Sequence, residues 1–267
     1  MLTHSQLLKI QTSMIQAAKS AGSILKKNFR ENLTINKKTD AGLVTQIDVK
    51  AEKAVIKILK SKHKNFDIYA EESGDQRKDR FDGTFVIDPL DGTTNYIHGF
   101  PMFCVSIGAI WKDQLVCGVI YHPLFDDLYA AVKGCGSYLN GKRIFVSKTN
   151  KIENSLLSTG FAYAQKKALH QEMKAFECLS LKVRALRRPG SAALDLAYTA
   201  QGVFDGFWER NLSAWDMAAG ALLVEEAGGK VTLFGGQKFN LEKRQIIASN
   251  GKIHKKLIES LAPSKNS

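Results

Sequence analysis

The chain has 267 residues, of which 44% are hydrophobic and 24% are charged, as in an ordinary folded globular protein. This composition excludes collagen-like, low-complexity and disordered classes. The apolar run Met102–Trp111 has ten residues, half of the ~20 that a membrane-spanning helix needs. Lys9 interrupts the apolar residues near the N-terminus before a signal-peptide core can form. We therefore expect a cytoplasmic protein without a membrane partner.

The net charge of +12 is concentrated in three segments of the chain. Segments 1–40 and 165–190 each contain seven basic and two acidic residues, and segment 251–267 contains four basic residues and one acidic residue. A basic surface favours anionic partners, which include phosphate esters, nucleic acid and acidic proteins. Because these segments lack interleaved aromatic residues, a solvated surface is favoured over nucleic-acid binding. The four cysteines have no zinc-type spacing, and Cys104 and Cys117 are expected to be buried thiols in a reducing compartment.

Two helices are predicted at the start of the chain. Apolar residues recur at three- and four-residue spacing over Leu7–Leu25, and Thr3 with Gln6 fits a capping box. A second helix is expected from Thr45 as its N-cap. This start places Asp48 in the first turn, where a carboxylate suits the helix dipole.

The remaining chain predicts strands first and then alternating helices and strands. In chain order the predictions are strands Phe66–Tyr69 and Thr84–Ile87, a hairpin of Met102–Trp111 and Gln114–Tyr121, strands Asp127–Val132 and Ser155–Thr159, helices 165–180 and Ser191–Gln201, strand Val203–Trp208, helix Trp215–Ala227, strands Val231–Phe234 and Gln245–Ala248, and helix 251–261. Tight turns are predicted at Lys112-Asp113 and Asn140-Gly141. This order favours a layered α/β or α+β sandwich. We expect two parts, 1–145 and 146–267, which together complete one compact unit.

Acidic residues follow the predicted strand that ends at Ile87. Asp88 and Asp91 are three residues apart, and Pro89 stiffens the link between them. Gly92 permits close approach of the backbone, and the amides that follow it are expected to begin a short helix and an anion site. Mg²⁺ prefers this combination of a few carboxylates with substrate phosphate oxygens.

Further acidic residues stand in matching places. Glu71-Glu72 ends the preceding predicted strand, and Asp216 begins an otherwise apolar helix. Each feature alone has a simpler explanation, because Asp88–Gly92 could be an Asx-type turn and Asp216 could be a helix-dipole partner. Clustered carboxylates repel one another, however, and a divalent cation would hold them together. We therefore favour a metal site.

These residues resemble the inositol monophosphatase family of lithium-sensitive, Mg²⁺-dependent phosphatases, and the resemblance extends over roughly residues 5–260. The motifs that carry it are Asp88-Pro-Leu-Asp-Gly-Thr-Thr-Asn95, Trp215-Asp-Met-Ala-Ala-Gly220 running on to Glu226-Ala-Gly-Gly229, Val44–Asp48, Ala70–Ser73 and Gly190–Ala192. The resemblance implies a layered αβαβα sandwich and usually a homodimer.

The resemblance also implies a metal-binding role for several matching residues. Glu71, Asp88 and the carbonyl of Leu90 would bind a first Mg²⁺ ion. Asp88, Asp91 and Asp216 would bind a second, and Glu71 would help to hold a weaker third ion through water molecules.

Other matching residues are implied in catalysis and substrate binding. Asp48 with Thr93 resembles the pair that helps to activate water, and Glu209, seven residues before Asp216, matches a contact to the sugar alcohol. The implied catalytic residues are Asp48, Glu71 and Thr93. The implied substrate-binding residues are Asp91, Gly92, Thr93, Gly190, Ser191, Ala192, Glu209 and Asp216.

The implied activity is hydrolysis of a small phosphorylated polyol, above all myo-inositol-1-phosphate, by a metal-activated water without a covalent phosphoenzyme. Relatives with the same motifs hydrolyse fructose-1,6-bisphosphate, 3′-phosphoadenosine 5′-phosphate or histidinol phosphate, so these substrates remain open. A different class of function also remains open, namely a regulatory protein that binds RNA or an acidic partner through its basic surface.

Overall fold

The computed structural model describes residues 2–31, 35–38, 42–77, 81–161, 163 and 166–262, which contain seven α-helices and fifteen β-strands. In chain order these elements are α1 (His4–Asn28), β1 (Ile35–Lys38), β2 (Gly42–Thr45), α2 (Gln46–Lys62), β3 (Phe66–Ala70), β4 (Gly74–Asp75), β5 (Gly83–Asp91), α3 (Thr93–Ile97), β6 (Cys104–Trp111), β7 (Gln114–His122), β8 (Asp127–Val132), β9 (Gly136–Leu139), β10 (Lys142–Ile144), β11 (Leu156–Thr159), α4 (Lys166–Ser180), β12 (Ala185–Arg187), α5 (Ala192–Gln201), β13 (Gly206–Arg210), α6 (Ala214–Glu226), β14 (Lys230–Thr232), β15 (Gln245–Ser249) and α7 (His254–Leu261).

The strands form two large sheets and one hairpin. The first sheet has eight strands in the order β10-β9-β8-β7-β6-β5-β3-β4. In this sheet β3 and β5 are parallel, and all other neighbouring strands are antiparallel. The second sheet has five strands in the order β12-β11-β13-β15-β14, in which β11 is parallel to both of its neighbours. β1 and β2 pair as a separate antiparallel hairpin.

Helices and sheets alternate in five layers. Apolar side chains of α1 and α2, such as Met14 and Val55, pack on one face of the eight-stranded sheet. α5 and α6 fill the space between the sheets, and α4 and α7 cover the outer face of the five-stranded sheet through Leu179 and Leu257. This arrangement confirms the predicted αβαβα sandwich.

Local sequence signals explain several element boundaries. Gln6 N donates to Thr3 Oγ1 (3.3 Å) and Thr3 N donates to Gln6 Oε1 (2.7 Å), which confirms the capping box of α1. The predicted hairpin between β6 and β7 turns at Lys112-Asp113, where both residues have positive φ angles of 47° and 60°. Asn140-Gly141 likewise turns the chain between β9 and β10.

The strand predicted at Thr84–Ile87 extends over Gly83–Asp91, so Asp88 and Asp91 lie within it rather than after it. Three other predicted elements have wrong boundaries because local turns replace the expected ends. The strand predicted at Val203–Trp208 is Gly206–Arg210, since Val203 N and Phe204 N bond back to Tyr198 O at the end of α5. The strand predicted at Val231–Phe234 ends at Thr232, and the helix predicted from residue 251 begins at His254, after a turn in which Asn250 Oδ1 accepts two backbone N–H bonds. The pattern also did not indicate strands β1, β2, β4, β9, β10 and β12. Residue 165 of the predicted helix 165–180 lies outside the described residues.

The predicted division of the chain at residues 145 and 146 falls between the two large sheets. It stays a prediction that the two parts fold as one unit. Two of the three basic segments meet at one outer layer, because α4 and α7 pack together, whereas α1 lies in the opposite outer layer. Cys104 and Cys117 are buried, as predicted. None of the helices in the described ranges is both long enough and apolar enough to cross a membrane.

Candidate metal and phosphate site

The end of β5 places two carboxylates on the same side of the sheet. The pairing of β5 with β6 is interrupted between Asp88 and Asp91, and Leu90 N donates to Asp88 Oδ1 (2.9 Å). Gly92 then adopts a left-handed conformation with a φ of 92° and begins α3. A Cβ at this position would lie 2.7 Å from the carbonyl oxygen of Met102, so only glycine fits there.

The third carboxylate comes from the first turn of α6. Asp216 Oδ2 accepts a hydrogen bond from Ser213 N (2.7 Å) within a capping box, so the helix-cap explanation for this residue holds as well. Carboxylate oxygens of Asp88, Asp91 and Asp216 all lie within 4.8 Å of one another. The sandwich therefore joins acidic residues that are more than 120 positions apart in the sequence.

Close packing of α6 on the first sheet makes this approach possible. A Cβ at Gly108 would lie 2.7 Å from Ala218 Cβ, and a Cβ at Gly118 would lie 2.7 Å from the carbonyl oxygen of Ala219. Glycine on two adjacent strands therefore lets the helix approach the sheet more closely than larger residues would allow.

Asp91 also connects the first half of the chain to the helix of the second half. Its Oδ2 accepts hydrogen bonds from Ser191 Oγ (2.5 Å) and Ala193 N (2.8 Å) at the start of α5. Asn95 Nδ2 donates to the carbonyl oxygens of Pro189 (2.9 Å) and Gly190 (3.2 Å). These contacts hold the predicted Gly190–Ala192 loop beside the carboxylates.

Electrostatics distinguish this cluster from an ordinary surface group of acids. Burial, together with the neighbouring carboxylates, raises the pKa of Asp88 and Asp216 well above the ordinary aspartate value. Burial raises the pKa of Asp91 to about 6, although its hydrogen bonds from Ser191 and Ala193 oppose this shift. Glu71 lies against Asp88 and raises its pKa further.

A divalent cation fits these residues. Among the described ion pairs, none joins Asp88, Asp91 or Asp216 to a lysine or an arginine. The cluster therefore presents several hard oxygen ligands whose mutual repulsion a bound divalent cation would relieve. Coordination by Asp88, Asp91 and Asp216 is geometrically possible, and Glu71 adds a fourth carboxylate at its edge.

A second group of predicted residues lies at the N-terminus of α3. Thr93 Oγ1 lies 3.1 Å from the carbonyl oxygen of Leu90 and 3.3 Å from Asp48 Oδ1. Asp48 is fully buried, and its Oδ2 accepts bonds from Thr45 N (2.9 Å) and Thr45 Oγ1 (2.5 Å). Burial raises the pKa of Asp48 above its ordinary value. Asp48 Oδ1 therefore faces Thr93 Oγ1, while Asp48 Oδ2 accepts the two hydrogen bonds from Thr45.

A pocket opens beside the carboxylate cluster. Its cavity volume is about 130 Å³, below the ~300–1,000 Å³ range of sites for drug-sized ligands. Its lining includes the predicted residues Asp91, Gly190, Ser191, Ala192, Glu209 and Asp216. Burial and the charge of Asp216 raise the pKa of Glu209 well above its ordinary value.

Sequence reasoning missed four residues of this pocket, which are Gly160, Arg188, Asp195 and Leu212. The signal for Asp195 was available, because it is an acid in the first turn of an otherwise apolar helix, like Asp216. Arg188 lies inside a basic segment, a pattern that indicates only surface charge. Nothing local in the sequence distinguished Gly160 or Leu212.

Comparison with known proteins shows the family to which the chain belongs. The family model described as the inositol monophosphatase family matches residues 6–266. The chain belongs to the inositol monophosphatase family. It is 41% identical over 248 residues to the inositol-1-monophosphatase of Synechocystis, covering 92% of this chain and 86% of that protein. It is 40% identical over 255 residues to the Nus factor SuhB of Pseudomonas aeruginosa, covering 93% of this chain and 94% of that protein.

A solved structure is similarly close. The extragenic suppressor protein suhB from Bartonella henselae superposes with a TM-score of 0.92 at 39% identity, covering 97% of this chain and all of the other. These similarities confirm the predicted family, its layered fold and its enzyme class, that of the phosphoric monoester hydrolases. Inositol monophosphatases are metal-dependent, which agrees with the acidic cluster of Asp88, Asp91 and Asp216.

Proposed function

We propose that this chain hydrolyses the phosphate monoester of a small polyol in the presence of Mg²⁺, with myo-inositol-1-phosphate as the preferred substrate. The observation that carries this proposal is the convergence of three carboxylates within 4.8 Å, two of them buried and one half-buried, next to the N-terminus of α3 and a pocket for a small molecule. The names of its inositol monophosphatase relatives support the choice of substrate.

In this proposal Asp88, Asp91, Asp216 and Glu71 hold the Mg²⁺ ions together with the carbonyl of Leu90. The chemistry that Mg²⁺ supplies when bound is charge neutralisation of the phosphate dianion, acidification of a water molecule and stabilisation of the leaving alkoxide. The number of ions, two or three, is part of the proposal.

The backbone at the start of α3 orients the phosphate group. The amides of Gly92 and Thr93 begin the helix, where partial positive charge favours an anion. Thr93 Oγ1 lies within hydrogen-bonding range of Asp48 Oδ1, so the hydroxyl can pass a proton from the attacking water towards that carboxylate. The raised pKa of Asp48 suits it to accept this proton.

The pocket beside the carboxylates binds the alcohol portion of the substrate. Glu209 offers a carboxylate that can accept a hydrogen bond from a polyol hydroxyl, and the Gly190–Ala192 loop forms the adjacent wall. Esters of fructose, of adenosine nucleotides and of histidinol remain the competing substrates, because the same cluster would hydrolyse any phosphate that the pocket admits.

A panel of phosphate monoesters, assayed for phosphate release with Mg²⁺ and with EDTA, tests the proposal. We expect Mg²⁺-dependent release, complete loss in EDTA, and the highest kcat/KM for inositol-1-phosphate. Asp216→Asn should abolish turnover, whereas Asp113→Asn, an exposed turn residue at the far end of β6, is the matched control. Absence of release from every ester at saturating Mg²⁺ would overturn the proposal.

The resemblance also implies a homodimer and inhibition by lithium, and we include both in the proposal. Size-exclusion chromatography with light scattering measures the first, and phosphate release in a lithium titration measures the second. A monomer at micromolar concentration, or activity that is insensitive to lithium, would remove that part of the proposal alone.

A second candidate function rests on the basic outer layer. We propose that α4 and α7 present a surface for RNA or an acidic protein, since their packing places Lys174, Lys255 and Lys256 in the same layer, all exposed. One relative carries the name Nus factor rather than the name of a phosphatase. Binding to RNA that weakens steeply with salt, and that Lys255→Glu with Lys256→Glu removes, would support it. Charge reversal at Lys19 on α1 is the matched control. Absence of RNA binding at low salt would exclude this second function.

A further inference from the structure

Glu52 is a buried acid of α2 that the proposed reaction does not use. It is 3% exposed, and among the ion pairs that join described residues none includes it. It follows Asp48 by four positions, so the two side chains lie on the same face of the helix. Acidic side chains are rarely buried unless they are paired, and the partner of Glu52 therefore indicates its role.

The partner of Glu52 is a backbone group beside the proposed metal site. Glu72 N donates a hydrogen bond to Glu52 Oε2 (2.8 Å), across 20 positions of the chain. This N–H belongs to the peptide group that joins Glu71 to Glu72. Hydrogen bonds to carboxylates are roughly twice as strong as those between neutral groups, so this bond fixes the peptide group that follows Glu71.

The peptide group that precedes Glu71 is held as well. Glu71 N donates to the carbonyl oxygen of Ile87 (3.1 Å), the residue directly before Asp88 in β5. Glu71 itself lies in the turn 71–73 between β3 and β4, outside their strand pairing. With both flanking peptide groups fixed, the side chain of Glu71 is directed towards Asp88, whose pKa is raised by burial and then by the charge of Glu71.

Neither helix capping nor packing explains Glu52. Asp48 completes the capping box of α2 with Thr45, whereas Glu52 lies one turn further into the helix, beyond the reach of the helix N-terminus. An apolar side chain of similar size would fill the same space without the cost of burying a carboxyl group. The bond from Glu72 N is therefore what distinguishes Glu52 from Val55, the next buried residue of this helix.

We propose that Glu52 is a positioning residue for the metal site, which fixes the peptide group after Glu71 and so holds the Glu71 carboxylate where it contributes to Mg²⁺ binding. This inference rests on the proposed function. Without the bond from Glu72 N, the turn between β3 and β4 still closes, but the side chain of Glu71 is held from one side alone. Loss of the bond should therefore weaken Mg²⁺ binding while the fold is kept.

Titration calorimetry with Mg²⁺ alone, on the full chain without substrate, tests the inference. Glu52→Met preserves the length of the side chain and removes its oxygen acceptors, and it should raise the Kd for Mg²⁺ by about 10-fold or more. Glu52→Gln retains an oxygen that can accept the bond from Glu72 N, so it should bind Mg²⁺ nearly as the wild type does. An unchanged Kd in Glu52→Met would overturn the inference. Equal weakening in both variants would overturn it too, because the charge of Glu52 and not its hydrogen bond would then be responsible.

A double-mutant cycle tests whether Glu52 acts through Glu71. Once Glu71→Gln has removed the charged ligand, Glu52→Met should weaken Mg²⁺ binding little further, because the group that Glu52 positions is gone. Additive losses would overturn the inference, since Glu52 would then act on the site by another route.

Val55→Ala is the matched control. It removes buried atoms from the same helix within one turn of Glu52, and it should lower the urea midpoint without changing the Kd for Mg²⁺. An equal rise of the Kd in this variant would overturn the inference, because general loosening of α2 would suffice. If Glu52→Met fails to fold, Glu52→Ala gives the same comparison with Glu52→Gln.

Phosphate release from the same samples separates this inference from the proposed function. Wild-type protein that binds Mg²⁺ but releases no phosphate from any ester would overturn the proposed hydrolysis and not the role of Glu52. Wild-type protein that binds no Mg²⁺ would overturn both.

Discussion

Replacement of Asp91 by asparagine should separate catalysis from stability. Asp91 is 9% exposed, and its Oδ2 accepts the two hydrogen bonds from Ser191 Oγ and Ala193 N. The amide oxygen of asparagine can accept the same two bonds, so we expect the loop before α5 to keep its position. The amide NH₂ group would then face the remaining carboxylates in place of an anionic oxygen.

The magnitude follows from the shifted ionisation of this residue. Because burial raises the pKa of Asp91 from 3.8 to about 6, keeping it charged at pH 7 costs the folded protein about 3 kcal/mol without a cation. Asparagine removes this cost. The loss of charge assistance in the two hydrogen bonds is already contained in this figure, because those bonds oppose the rise in pKa. The metal-free variant should therefore be more stable than the wild type, by up to about 3 kcal/mol.

Activity should change in the opposite direction. One anionic oxygen is lost from a cluster in which Asp88, Asp91 and Asp216 lie within 4.8 Å. Changes beside metal ligands commonly cost about 10–100-fold, and loss of a proposed ligand should cost at least 100-fold in kcat/KM. The gain in stability and the loss of activity have the same cause, which is removal of one negative charge.

Two assays measure these effects on the same samples. Urea unfolding in EDTA at pH 7 gives the free energy of unfolding, and phosphate release from inositol-1-phosphate at saturating Mg²⁺ gives kcat/KM. Asp113→Asn should change neither quantity. Retention of more than a tenth of wild-type activity would refute the metal-ligand role, and a variant less stable than wild type in EDTA would refute the electrostatic reasoning.

Three further predictions follow from single contacts. Thr93→Val removes the hydroxyl near Asp48 and should lower kcat by about 100-fold or more while Mg²⁺ binding, measured by calorimetry, stays unchanged; an equal loss of Mg²⁺ affinity would contradict a proton-transfer role. Gly92→Ala should destabilise the fold by at least ~1–3 kcal/mol in urea unfolding, because φ is 92° and the new Cβ would lie 2.7 Å from Met102 O. Burial lowers the pKa of His254 from 6.5 to about 4, so the unfolded chain takes up the proton first and stability should fall by about 3 kcal/mol as the pH drops from 6.5 to 4. His254→Gln should reduce that pH dependence, which unfolding at a series of pH values would detect.

Much of the site was predictable because its residues are adjacent in the chain. Asp88, Asp91 and Gly92 lie in one motif, and their order after an apolar strand indicated a metal and phosphate site. The capping signals at Thr3 and Thr45 and the turn at Asn140-Gly141 were equally local, and the structure confirms each of them. Such features depend on interactions between residues a few positions apart, so they can be inferred before the fold is known.

The short edge strands were not predictable in the same way. β10 and β12 have only three residues each and no clear alternation, so their pairing depends on the neighbouring strand rather than on their own sequence. The start of β13 was predicted too early for a related reason, since Val203 has high strand propensity but its N–H bonds back to Tyr198 O.

The sequence alone determined the acidic motifs, the caps and the alternation of elements that specifies a layered sandwich. Only the tertiary structure decided that Asp195, Arg188 and Gly160 join Glu209 around one pocket, and that the basic segments divide between two opposite outer layers. The reason is that a residue's partners across a pocket are set by how helices and sheets stack. Burial and electrostatic repulsion, which shift the pKa of each carboxyl, depend on those distant partners and not on the neighbours in the chain.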